Sequence, residues 1–282
     1  MKKRNIMYIA ISVICVVSVI LGVYYQIFAD KVVDEGAVNT ITNVIENTSN
    51  VESPEKLLEE FNKLFTDKFY SQGYDTDKIT RIQGLEAEDV IYTMYDMEEE
   101  KVNEYNINIK LPVFNVSGDV GTSYNANTQS IFVDKLNSVL AGPKDYTIYS
   151  INYVAYLNDN ILSLIIRATL KEGNNAQRVI VQTYNYDIET GKSVTLNDVL
   201  TKKGYKTKQV NTKIEQQIKE ASKQAETISQ ATGQTVYKRD LNNAMYVTDN
   251  VTNFFMGKDG QIYIVYAYGN NNLTSEIDII KV

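Results

Sequence analysis

Residues Ile6 to Phe28 form an unbroken uncharged run of 23 residues near the start of a 282-residue chain. A helix of that length, rising about 1.5 Å per residue, covers the roughly 30 Å hydrocarbon core of a bilayer. Lys2, Lys3 and Arg4 precede the run and no acid does, whereas Asp30, Lys31, Asp34 and Glu35 follow it. The excess of positive charge on the N-terminal side predicts a short cytoplasmic tail, with everything beyond Phe28 outside the cell. The competing reading is a cleaved signal peptide, whose apolar stretch spans about 7–15 residues and ends in a small-x-small site. Ile27, two residues before Ala29, spoils such a site. The expectation is therefore an uncleaved signal anchor over residues 1–28 and a single-pass protein of the cell membrane. Cys15 follows Ile14 in mid-run and reads as a small apolar residue facing lipid, not as a lipidation point.

Composition closes off several chemistries. The chain has no His and no Trp, and Cys15 is its single cysteine. Catalytic triads that need imidazole, zinc sites of Cys and His, and intrachain disulfides are all excluded. Taking the three basic residues of the tail from a total of 28 leaves 25 against 35 acidic ones, a net charge of −10 beyond Phe28. Nucleic acid is not an expected partner of such a surface. Hydrolysis would have to rest on carboxylates or a Ser/Lys pair. Glu98, Glu99 and Glu100 lie near Asp96, but a glycosidase pair must sit about 5–10 Å apart across a cleft, and a consecutive acidic run reads as a solvated turn. Ser53-Pro54-Glu55-Lys56 matches a Ser-x-x-Lys motif without its Lys-Thr-Gly partner, and helix capping accounts for it. Asp75, Asp77 and Glu86 have the end spacing of a calcium loop, yet Thr80 occupies the position that needs Gly. No catalytic, cofactor-binding or metal-binding residue is expected.

After a stalk at 29–52, periodicity predicts an α+β module over 53–282, with an antiparallel sheet and packed helices. Ser53 as N-cap and Pro54 at the first position open an amphipathic helix, in which Leu57, Phe61, Leu64 and Phe65 recur toward Gly73. Tyr105, Ile107, Ile109 and Leu111 alternate with polar residues up to Pro112, which marks the strand's end or a sheet edge. A helix near Asn127 carries Phe132, Leu136, Val139 and Leu140 on one face and stops at 141–143. Three strands at 146–157, 161–170 and 177–188 are joined by tight turns, so they should pair antiparallel. A long polar helix with a stripe of Val210, Ile214, Ile218, Ala221, Ala225 and Ile228 precedes two last strands. Tyrosine, at 21 residues, is enriched in these strands, where it reads first as sheet filler and second as a binding platform.

The runs "YNINIKLPVF", "NILSLIIRATL", "TYNYDIETGKSVTLNDVL" and "NFFMGKDGQIYIVYAYG" resemble the paired extracytoplasmic domains of RsiV-type anti-sigma factors. Those domains are shared with the N-terminal region of PdaC-type peptidoglycan deacetylases. The resemblance covers about 105–282, with "YDIETGKSVTLNDVL" its most specific piece. It implies an extracytoplasmic ligand: a cationic, lysozyme-like protein as in the anti-sigma branch, or peptidoglycan. Where the family often shows a Gly-Gly-Ala-His-Gly-like turn, this chain reads Glu172 to Gln177 without the histidine. The resemblance assigns ligand contact to Gly173, Asn174 and Asn175. With only Met1 to Asn5 on the cytoplasmic side, direct sigma-factor inhibition is not expected. The functional expectation is an anchored binding or sensing module of a bacterial envelope. The alternatives are a cell-wall hydrolase or transferase using carboxylates, and a scaffold subunit of a membrane complex.

Overall fold

The computed structural model describes residues 52–66, 75–270 and 272–282, all of which belong to the unit Glu52–Val282. The expected span and nearly all of the stalk lie outside the described residues. Among those described, no helix is long and apolar enough to cross a membrane.

Ser53 caps helix α1 (Pro54–Lys63), its hydroxyl accepting the Lys56 N–H at 3.3 Å, so the serine of the Ser-x-x-Lys match serves the backbone. The helix proper ends at Lys63, and residues 67–74 of the predicted continuation lie outside the described residues. Asp75 accepts the Lys78 N–H at 3.2 Å as the cap of α2 (Thr76–Gln83), which occupies the carboxylate considered above as a calcium ligand. After the short α3 (Ala87–Val90), strands β1 (Ile91–Lys101) and β2 (Tyr105–Phe114) pair antiparallel. β2 does not stop at Pro112. That proline falls beyond the ladder to the next strand and close to the bulge between Thr93 and Tyr95, where a residue lacking N–H is tolerated.

The predicted all-antiparallel sheet is corrected at one pair. β2 runs parallel to β3 (Thr147–Asn158), because a helical crossover joins them: α4 (Gly118–Asn127), a π-helical segment (Thr128–Val133) and α5 (Asp134–Leu140). This helix opens nine residues before Asn127. Gly118 and Gly121 dilute its apolar pattern, and Gly121 is required because a Cβ there would stand 2.1 Å from the Val116 carbonyl oxygen. Phe132, Leu136 and Val139 are buried as expected, whereas Leu140 is 36% exposed.

β3, β4 (Ile161–Glu172) and β5 (Arg178–Asp187) form the expected antiparallel meander, extended by the two-residue β6 (Lys192–Ser193). The chain then builds α6 (Leu196–Lys203), α7 (Thr207–Thr232), and a separate sheet of β7 (Phe254–Met256), β8 (Ile262–Tyr268) and β9 (Glu276–Lys281). Alternation sorts the faces. Leu162, Leu164, Ile166, Ala168 and Leu170 of β4 pack with Phe132, Leu136 and Val139. Ile165 of β4 and Val181 of β5 pack with Phe255, Val265 and Ile279 of the small sheet and with Leu57 and Phe61 of α1. Ile264 and Ile280, on the small sheet's other face, meet Val210, Ile214 and Ile218 of α7. Four layers result, helix on sheet on sheet on helix, each of these fully buried aliphatic or Phe side chains contributing about 1.5–3 kcal/mol relative to exposure.

One polar clip interrupts the sheet–sheet interface. The Ser163 hydroxyl donates to Asn185 Oδ1 at 2.6 Å and accepts the Met256 N–H at 3.1 Å, and Asn185 Nδ2 donates to the Phe254 carbonyl at 2.9 Å. These bonds tie β4 and β5 to β7 and satisfy groups that would be costly to bury alone.

Candidate binding cleft

Gly173, Asn174 and Asn175 form the tight turn between β4 and β5. Gly173 adopts the left-handed region at φ +49°, its N–H donating to the Tyr146 carbonyl at 2.9 Å, and the Asn175 N–H donates to the Glu172 carbonyl at 2.9 Å. Lys171 Nζ donates to the Asn175 carbonyl. Asn174 and Asn175 are exposed, but none of the three residues lines a cleft described here. Asp96, Glu98, Glu99 and Glu100 are exposed along β1, at one edge of the six-stranded sheet, with Glu99 accepting the Tyr105 hydroxyl at 2.7 Å. Tyr149, Tyr153, Tyr156 and Tyr266 are buried and fill sheet faces.

Among the described residues, clefts of about 620, 520 and 380 Å³ open. The roomiest lies where α1, β4, β5, α7 and the start of β9 meet. Its position follows from strand alternation, since Arg167 and Thr169 share the β4 face of Ser163 and Ile165, which is turned toward the small sheet. Beside the small sheet, Arg167 lines the cleft while packing against Asn62 and Phe65.

Two arginines wall this cleft, and their surroundings differ. Arg239 is 8% exposed and fully engaged. Its Nε and Nη2 grip Asp278 at 2.7 and 2.8 Å, Nη2 also meets Glu276 at 2.8 Å, and Nη1 donates to the Tyr237 carbonyl at 3.0 Å. The Tyr268 hydroxyl donates to Asp278 at 2.9 Å, while its ring lies 5.2 Å from the guanidinium and stacks on Tyr237. Burial opposes charge on Arg239, but the bonds to Asp278 and then Glu276 outweigh it and raise its pKa. Burial, then the Asp278 charge, raises the Tyr268 phenol in turn. Glu276 and Asp278 are thereby held in place, and with one guanidinium serving two carboxylates the cluster remains net acidic.

Arg167 is half-buried and forms no ion pair among the described residues. Its Nη1 donates to Asn62 Oδ1 at 2.6 Å, and its guanidinium carbon sits 4.5 Å over the Phe65 ring. Burial lowers its pKa, yet a guanidinium stays protonated across the range in which proteins fold. A fixed positive fork thus faces a cleft whose walls include the amides of Gln177 and Gln224 and the hydroxyls of Thr235 and Thr274. Such an arrangement holds an anion and offers hydrogen bonds around it. Sequence reasoning did not single out either arginine. The available signal was a charge set among the apolar residues of "ILSLIIRATL", and an aspartate likewise in "EIDII".

No family model and no curated relative matches the chain. Among solved structures it is similar to a DUF3298 family protein from Pseudomonas aeruginosa PAO1, at 10% identity and a TM-score of 0.38, over 68% of this chain and 87% of that one. It is also similar to a member of the DUF3298 family from Bacteroides fragilis, at 11% identity and a TM-score of 0.30, over 63% of this chain and 80% of that one.

Proposed function

We propose that this protein is a binding module displayed on the outer face of a bacterial cell membrane, held there by residues 6–28, and that it acts by retaining a ligand without transforming it. The observation that best supports this reading is the division of charge in the cleft. Glu276 and Asp278 are spent on Arg239, while Arg167 keeps most of its donors for something else. Groups so placed grip a partner. Peptidoglycan is the ligand preferred here, since its peptide stems carry free carboxylates that suit Arg167. The resemblance to extracytoplasmic domains of envelope proteins points the same way.

A second reading rests on the β1 edge, where Asp96, Glu98, Glu99 and Glu100 lie exposed on a strand paired on one side only. With the net −10 beyond residue 28, that edge favours a cationic, lysozyme-like protein, chiefly by accelerating encounter. One experiment separates the two. The full chain, extracted in detergent and immobilised, is offered purified peptidoglycan and lysozyme at low and physiological salt. Retention of peptidoglycan at both salts is the expected result. Lysozyme capture that fades as screening shortens to about 8–10 Å would transfer the function to the acidic edge. If the chain retains neither, the binding reading fails.

A further inference from the structure

We propose that Arg167 anchors a carboxylate subsite, and that the cleft accepts an extended peptide presenting a free carboxylate; this rests on the binding reading above. A half-buried guanidinium with no counter-charge among the described residues is an expensive feature for a fold to keep. Asn62 and the Phe65 ring hold it in position, and the last turn of α1 offers it a partial negative charge, but dipoles and a ring do not supply a full one. Glu55, the remaining carboxylate of the cleft, is exposed in the first turn of α1. It stands two helical turns before Asn62, about 10 Å along the axis, and forms no ion pair with Arg167.

Arg239 shows what a purely structural arginine looks like in this same cleft, with two carboxylates, a carbonyl and a tyrosine ring around it. Arg167 has the opposite surroundings. Of its five N–H donors, the one bond formed among the described residues is that to Asn62, and its planar fork matches a carboxylate in bidentate geometry.

The rest of the cleft defines what carries the carboxylate. Amide and hydroxyl side chains such as Gln177, Gln224 and Thr274 both donate and accept, which suits successive peptide groups better than a bare ion. β5 forms one cleft wall at Val179 and, among the described residues, has no strand partner on its outer side from Arg178 to Gln182, leaving a short main-chain edge beside the site before the Thr183 N–H donates to Asn253 Oδ1. The volume of about 620 Å³ falls within the span of about 300–1,000 Å³ usual for ligand sites. A peptide carboxylate comes either from a soluble peptide or from the stem peptides of peptidoglycan.

The test uses the full chain in detergent micelles, titrated with acetyl-trialanine as the free acid and as its C-terminal amide. The expected result is binding of the acid about tenfold or more tighter than the amide, the difference made by one charge-assisted bidentate contact. Arg167→Met should abolish that preference, and Arg167→Lys should keep part of it, since an ammonium supplies charge without the fork. Unchanged melting of both variants shows that they remain folded. Equal binding of acid and amide by the wild type overturns the proposal, as does no binding up to millimolar acid or an acid preference that survives in Arg167→Met. A parallel arm offers peptidoglycan before and after enzymatic removal of its stems. Retention that needs both stems and Arg167 assigns the wall as the source. Retention by wild type and Arg167→Met alike leaves the binding module standing and removes the carboxylate subsite.

Discussion

Arg239 and Arg167 wall the same cleft, yet among the described residues one is surrounded by charged partners and the other has none. Arg239 joins the β9 acids Glu276 and Asp278 to the segment that follows α7 and closes the small sheet's flank. Arg167 rises from the middle of β4, between its strand neighbours Asn152 and Val181, and among the described residues its guanidinium is held by Asn62 and a phenylalanine ring. Structural charge and available charge can be told apart by their partners. A buried charge with complete partners makes its environment depend on it, whereas a held charge without partners leaves the fold largely indifferent and the ligand dependent.

The largest expected effect comes from breaking the complete set. Asp278→Ala strips Arg239 of its bidentate partner and the Tyr268 hydroxyl of its acceptor, so urea unfolding should show a loss of about 3–5 kcal/mol, as for other broken buried pairs. A loss under 1 kcal/mol would mean that Glu276 alone satisfies Arg239. Next in size is Ser163→Ala, which leaves the Met256 N–H and one side of the Asn185 amide unpaired between the sheets. The same measurement should register about 1–3 kcal/mol.

Much of the architecture was legible because local chemistry repeats itself. Ser53 and Pro54 start α1, the alternation from Tyr105 makes β2, and the turn residues at 158–160 and 173–175 set the antiparallel meander. The division into two sheets and the parallel β2–β3 pair were not, since register between distant strands leaves no trace in a single strand's pattern. The cleft was hidden for the same reason. Its walls come from positions as far apart as Glu55 and Asp278, and Arg167 looks like a stray polar residue until α1 is laid across β4. The Gly173 turn was visible from its residues, and the structure sets it apart from any described cleft.

That turn offers a smaller test of whether site and scaffold are separable. Gly173→Ala places a Cβ 3.0 Å from the Asp145 Cβ in a left-handed conformation, so it should cost about 1–2 kcal/mol while leaving peptide binding at the cleft intact. Loss of binding without loss of stability would return the site to Gly173, Asn174 and Asn175. Smaller still is Thr195→Ala, which removes the capping box of α6 and should cost about 1 kcal/mol. Hydrogen bonds from the Thr195 side chain and then its backbone hold the Asp198 carboxyl below its ordinary value. A depressed folded-state pKa contributes stability above the unfolded pKa and loses it as pH falls through the folded one. The variant should therefore lose less stability than wild type on acidification through the carboxylate range, a comparison that acid titration of circular dichroism at the two sequences reads directly.

The contrast between the two arginines is tested most directly by measuring the unfolding free energies of Arg167→Met and Arg239→Met side by side in urea. Arg239→Met, which leaves Asp278 buried without its cation, should lose about 3–5 kcal/mol, while Arg167→Met should stay within about 1 kcal/mol of wild type. Equal and large losses in both variants would contradict it, because Arg167 would then be part of the scaffold and not a charge kept open for a ligand.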